Sequence, residues 1–369
     1  KGSIKGGRGG DVALVAGYSV FGIAPTPGAL SFDGDIRAYG FEGGGTLTVH
    51  AGGRDVSIAG DGAASDHLVA LSAGLFSKGF SHYVMSTNRG MQVDGNIEAV
   101  VPVYRAMPAG LAAATDSDIS SVAELWLPSR YLENSAAGTL TQRAGADIAL
   151  IGIDSFVLAA GKTIEVDPGR TIEIQSHGQT TVDGTIRARG GNIVIGSDLS
   201  AIVQTIQTGV PGQSIWIGEH ARLDTSAEAV IRTDNAGHRY GVVPNGGSIS
   251  IGLESMTPDT TGTLPVTQSM VVVRPGAVLD VSGANGTLDL ASGTGIPGTW
   301  APMAVASDGG AIMIGSMAGL YLDGELRAFA GGAGAAGGRL TLALENAISA
   351  PAGGPPHVFT ITQQRMGSG

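Results

Sequence analysis

Six segments of the chain open on a Gly-Gly pair and continue as a short run in which apolar and polar residues alternate: GGDVALVAG (9–17), GGTLTVHAGG (44–53), GGNIVIGS (190–197), GGSISIGLE (246–254), GGAIMIGS (309–316) and GGRLTLALE (337–345). Alternation at period two is the signature of a strand with one face buried. None of these runs is long enough to form a core alone. The recurrence therefore points to a repeat architecture, in which each unit buries its apolar face against the next.

A second element repeats with them. LSFDGDIRAYG (30–40), TVDGTIRARGG (181–191) and YLDGELRAFAGG (321–332) share Asp-Gly-x-(Ile/Leu)-Arg-Ala. Asp hydrogen-bonds nearby backbone amides and Gly adopts positive φ, so the pairs Asp33–Gly34, Asp183–Gly184 and Asp323–Gly324 are expected to turn the chain at a corner. Ile36, Ile186 and Leu326 then point inward, and Arg37, Arg187 and Arg327 point outward. Asp94, Asp224 and Asp280 anchor degenerate copies of the same unit. Successive gaps between these anchors are 61, 89, 41, 56 and 43 residues; those of 41, 43 and 61 suit a unit of about 20 residues taken two or three at a time, 56 fits loosely, and 89 needs an insertion. The expectation is an all-β chain: a right-handed parallel β-helix with loop insertions. About 15 turns would give a rod about 70 Å long. The rod is expected over 1–365, with the tail MGSG (366–369) set aside as a non-native remnant.

Composition agrees and excludes other classes. The chain has 61 Gly among 369 residues, too many for an ordinary globular domain and without the strict period of collagen. A net charge of −11 argues against nucleic acid as a partner. The absence of Cys removes disulfides and thiolate chemistry. The start, KGSIKGGRGG, lacks the apolar stretch of a signal peptide, so the chain is expected to begin mid-protein or after processing.

One region lacks the repeat. Residues 100–138 carry no Gly-Gly run, and SDISSVAELWL within them offers an N-cap and a short helix. Tyr104, Trp126, Arg130 and Tyr131 lie here. This insertion either packs on the rod's flank or protrudes as a ligand-contacting element. Residues 66–86 are either two turns with a bulged corner or a further insertion. Smaller Thr-, Pro- and Ser-rich excursions near 197–212, 227–243, 255–270 and 291–308 read as loops.

Catalytic and metal motifs are missing. The seven His are dispersed, and neither a zincin motif, a nucleophile elbow nor a phosphate loop is present. The chain is expected to be non-enzymatic, with no cofactor. Polysaccharide-cleaving β-helices need two carboxylates about 5–10 Å apart. The repeated Asp-Gly residues are spaced too widely along a rod for that, so they read as structural.

The units GAVLDVSGANG, ARLDTSA, VDGTIRARGGNIVIGS and YLDGELRAFAGGAGAAGGRLTLALE resemble the repeats of filamentous haemagglutinin-like exoproteins, the passengers of two-partner secretion in Gram-negative bacteria. The resemblance covers most of the chain outside 100–138. Only VPNGG (243–247) approaches the Asn-Pro-Asn motif of the family's secretion domain, so the chain resembles a downstream rod segment. The resemblance implies secretion through an outer-membrane TpsB-type transporter and a place at the cell surface. It also implies adhesion to a host or bacterial receptor or glycan, by a monomeric rod whose ends can meet. A carbohydrate-binding or carbohydrate-cleaving β-helix, or a stick that delivers a toxin carried elsewhere, are the alternatives.

Overall fold

The computed structural model describes residues 6–16, 30, 35–60, 64–107, 122–196, 214–253, 266–267, 269–291 and 300–344. Among them the structure is all-β, with one 3-10 turn at Ala73–Ser77. Twenty-three strands form three parallel sheets of nine, eight and six strands. The chain visits the sheets in cyclic order. One circuit runs through Asp147–Gly152 in the first sheet, Ser155–Leu158 in the second and Thr163–Val166 in the third. The next runs through Thr171–Gln175, Gln179–Val182 and Thr185–Arg187. Each strand pairs in parallel with its counterpart one circuit on.

Register stacks like on like. In the first sheet Tyr83, Ile148, Ile172, Ile193, Ile249 and Ile312 are successive partners, all at most 1% exposed. In the third, Ile97, Ile164, Ile186, Leu223 and Leu279 do the same. Each such side chain contributes about 1.5–3 kcal/mol by leaving water. A one-residue slip would turn every column outward, so the alternation fixes the register. Ile186 and Ala188 are buried and Arg187 faces out, as the pattern predicts.

The nine strands of the first sheet span about 38 Å, not the 70 Å expected. Insertions consume the difference: 21 residues separate Thr171 from Asn192, but 65 separate His82 from Asp147. The route is also irregular near the amino end. Leu68–Leu71 follows Asp55–Ile58 in sequence, yet it pairs on that strand's outer side, at the sheet's amino-terminal edge. The chain doubles back there before Ala73–Ser77 resumes the coil.

The corners depart from expectation in two ways. Asp183 and Asp323 end strands of the second sheet, whereas Asp224 and Asp280 close strands of the third; they belong to different corners. Asp33 and Gly34 lie outside the described residues. The glycines do not serve positive φ: Gly184 and Gly324 have ordinary backbone angles. A Cβ on Gly184 would sit 2.7 Å from the Ala159 carbonyl oxygen, and one on Gly324 would sit 2.7 Å from Val273 Cγ1. Close approach of the preceding circuit demands glycine here. The same reason explains the Gly-Gly pairs: a Cβ on Gly247 would collide with the Gly191 backbone, and one on Gly310 with Gly247.

Candidate functional site: a layer of hairpins over a charged corner

Four antiparallel pairs among the described residues lie in insertions that leave the coil at one corner, after strands of the third sheet; the excursion at 197–212 and most of that at 255–270 lie outside the described residues. Val103–Ala106 pairs with Ala123–Trp126, and Tyr131–Asn134 with Thr139–Gln142. Val230–Thr233 pairs with Arg239–Val242, and Asn285–Ala291 with Trp300–Ala306. The helix expected over SDISSVAELWL is therefore corrected across Ala123–Trp126, where cross-strand pairing and the alternation of Ala123 in and Glu124 out win over local propensity. The rest of that segment lies outside the described residues. The insertion also runs past 138, to Gln142.

Three hairpins pack side by side although they are far apart in sequence. Arg232 forms an ion pair with Glu133, and the Asn235 amide donates to the Ser135 carbonyl at 3.3 Å. The Arg239 amide donates to Asp289 Oδ2 at 2.6 Å, and its guanidinium Nη2 donates to Oδ1 at 2.8 Å. These bonds hold the Asp289 carboxyl at about 2, well below the usual range. The His238 ring stacks on Trp300 with centroids 4.6 Å apart. Trp300 is still 48% exposed.

Beneath the hairpins, a ladder of ion pairs runs along the third sheet. Arg143 grips Asp167 in a bidentate pair at 2.9 and 2.7 Å, with both side chains buried. Arg130 reaches Glu165 at 3.2 Å and Asp167 at 3.6 Å. Arg187 joins Glu165 at 2.9 Å to Asp224 at 3.7 Å, and Arg222 joins Asp224 to Asp280 at 3.5 Å each. Arg327 completes the run with Glu325 at 2.7 Å and Asp280 at 3.9 Å. A cleft of about 550 Å³ opens on this sheet beside Glu98, Glu165 and Arg187. Two guanidinium groups, those of Arg130 and Arg187, occupy Glu165, so its carboxylate acts as a fastening. No group of three or more His, Asp or Glu that could hold a metal occurs among the described residues.

The four residues singled out in the insertion do not converge. Tyr104 packs against Tyr39 and Phe41 with centroids 6.2 and 6.0 Å away. Trp126 carries the Arg105 guanidinium at 4.6 Å from its ring centroid. Tyr104 pairs with Leu125 and Trp126 with Val103, so the two aromatics project from opposite faces of their ribbon. Arg130 belongs to the charged ladder. Tyr131 is half-buried; burial first, then the Glu228 carboxylate, push its phenol above the usual tyrosine value. Sequence reasoning missed His238, Arg239, Asp289 and Trp300. The signal for His238 and Arg239 was present in EAVIRTDNAGHRYGVV, two alternating runs about an Asp-Asn-Ala-Gly turn.

No protein-family model matches the chain, and no curated protein or solved structure matches it.

Proposed function

We propose that the three sheets form one right-handed parallel β-helix, and that the chain is a structural and adhesive segment of a large secreted exoprotein at a Gram-negative cell surface. Export would use an outer-membrane transporter of the two-partner type, and any toxin would lie elsewhere in the protein. The observation that carries this reading is the hairpin layer. Three insertions from separate circuits fasten to one another and leave Trp300 exposed, an arrangement that holds a contact surface on a stiff support. The stacked aliphatic columns supply the stiffness. Adhesion is tested by adding the labelled protein to bacterial and epithelial cells. Saturable binding that falls when His238 and Trp300 are both replaced by Ala is expected. Binding to neither cell type would end the adhesive reading.

A further inference from the structure

The outer face of the second sheet lies away from the hairpins and is built differently. A cleft of about 430 Å³ opens on its amino-terminal half, lined in part by Asp55, Ser57, Gln92 and Ser155. Gln179 and Thr181 carry a polar surface on to the next circuit. The carboxyl-terminal half turns aromatic. Thr181, Trp216, Val272 and Tyr321 are successive register partners. The two aromatic side chains thus stand two circuits apart, about 9.6 Å, on one column. Both are exposed, at 36% and 42%, while Val272 between them is buried.

Arg274 lies over the Trp216 ring, 5.4 Å from its centroid. It makes no ion pair among the described residues, so its donors remain free to meet a ligand.

We propose that this face is a binding strip for an uncharged linear polysaccharide. Exposed rings in a line offer apolar platforms to the C–H faces of sugars. Side-chain amides, hydroxyls and one unpaired guanidinium offer donors and acceptors to sugar hydroxyls. The strip follows the column from Ser57 to Tyr321 over six strand spacings, about 29 Å, which suits an extended chain. Charge selects the occupant: Asp55, Asp94, Asp183 and Asp323 outnumber Arg274 along it, which disfavours a polyanionic glycan or nucleic acid. An extended peptide is disfavoured too, because the backbone groups of these strands are already paired within the sheet and strand addition needs a free edge. The inference deepens the adhesive reading by naming a partner class, but it uses a different surface from the hairpin layer.

The test is calorimetric titration of the protein with neutral hexasaccharides (cello-, xylo-, manno- and β-1,3-gluco-) and with hexagalacturonate as the anionic control. At least one neutral hexasaccharide is expected to bind. Trp216→Ala and Tyr321→Ala are each expected to weaken it about tenfold, and Trp216→Phe to retain most of it. Circular dichroism confirms that the variants fold. No neutral binding, binding unchanged by both Ala substitutions, or binding of hexagalacturonate alone would overturn the proposal. Cell binding that survives Trp216→Ala but not the hairpin substitutions would leave adhesion standing and remove the glycan strip.

Discussion

Gly184 lies so close to the preceding circuit that a Cβ on it would fall 2.7 Å from the Ala159 carbonyl oxygen and 2.9 Å from Leu158 Cγ. Gly161 differs: nothing lies within 4 Å of its Cβ position, but its φ is 72°. The two sites should respond to substitution in opposite order. At Gly184 a larger side chain is worse, with Ala costing about 1–3 kcal/mol and Asn more. At Gly161 Asn is better than Ala, because Asn tolerates the left-handed region. Urea unfolding of the four variants checks the ordering.

Thr180 stands between Phe156 and Ile215 in an aliphatic column of the second sheet, fully buried. Its hydroxyl has no hydrogen-bond partner among the described residues. Thr180→Val keeps the shape and removes the unpaired group, so it should raise stability by about 1 kcal/mol. A fall in the unfolding midpoint would show that the hydroxyl is satisfied in solution.

Arg143 and Asp167 form the most buried pair of the charged ladder. Arg143→Ala strands a carboxylate that, among the cations of the described residues, only Arg130, at 3.6 Å, still approaches. A loss of about 3 kcal/mol is expected. Arg105→Ala, on an exposed ion pair with Glu124, should cost less than about 1 kcal/mol. Chemical denaturation of the two variants gives the contrast.

Asp289 links the hairpins Val230–Val242 and Asn285–Ala306 through Arg239. Its folded value of about 2 lies below its ordinary 3.8. Its contribution is therefore fully present above about pH 4 and is lost as pH falls toward 2. Hydrogen exchange at these hairpins should quicken over that window in the native protein. In Asp289→Asn the step should vanish.

Tyr104 and Trp126 project from opposite faces of one ribbon. Their Ala substitutions should add in stability within about 0.5 kcal/mol. Strong coupling would mean that the two rings share a contact.

Much of the coil was legible because alternation reports which way a side chain points. Ile186 in, Arg187 out and Ala188 in follow directly from TIRA. Asp183 Oδ1 accepts the His220 amide of the next circuit at 3.0 Å, a partner that a local reading of the Asp-Gly pair does not supply. What alternation does not report is who stands beside whom. Arg232 meets Glu133 and Arg239 meets Asp289 across long loops, and such contacts leave no local trace. The number of circuits was overestimated because the expected rod spans nearly the whole chain, whereas insertions such as that between His82 and Asp147 take up much of its length. The role of glycine was misjudged because a tight corner and a left-handed corner select the same residue. The insertion aromatics drew attention by their composition, but backbone pairing directs Tyr104 and Trp126 apart.

The strand Leu68–Leu71 carries a consequence for assembly. It lies at the amino-terminal edge of its sheet but is synthesised after Asp55–Ile58, the strand on which it rests. A chain that emerges amino end first cannot complete this edge of the sheet until residue 71 arrives. Asp55–Ile58, already made, is the strand that templates it. In this sheet the strand made later lies outside the strand made earlier.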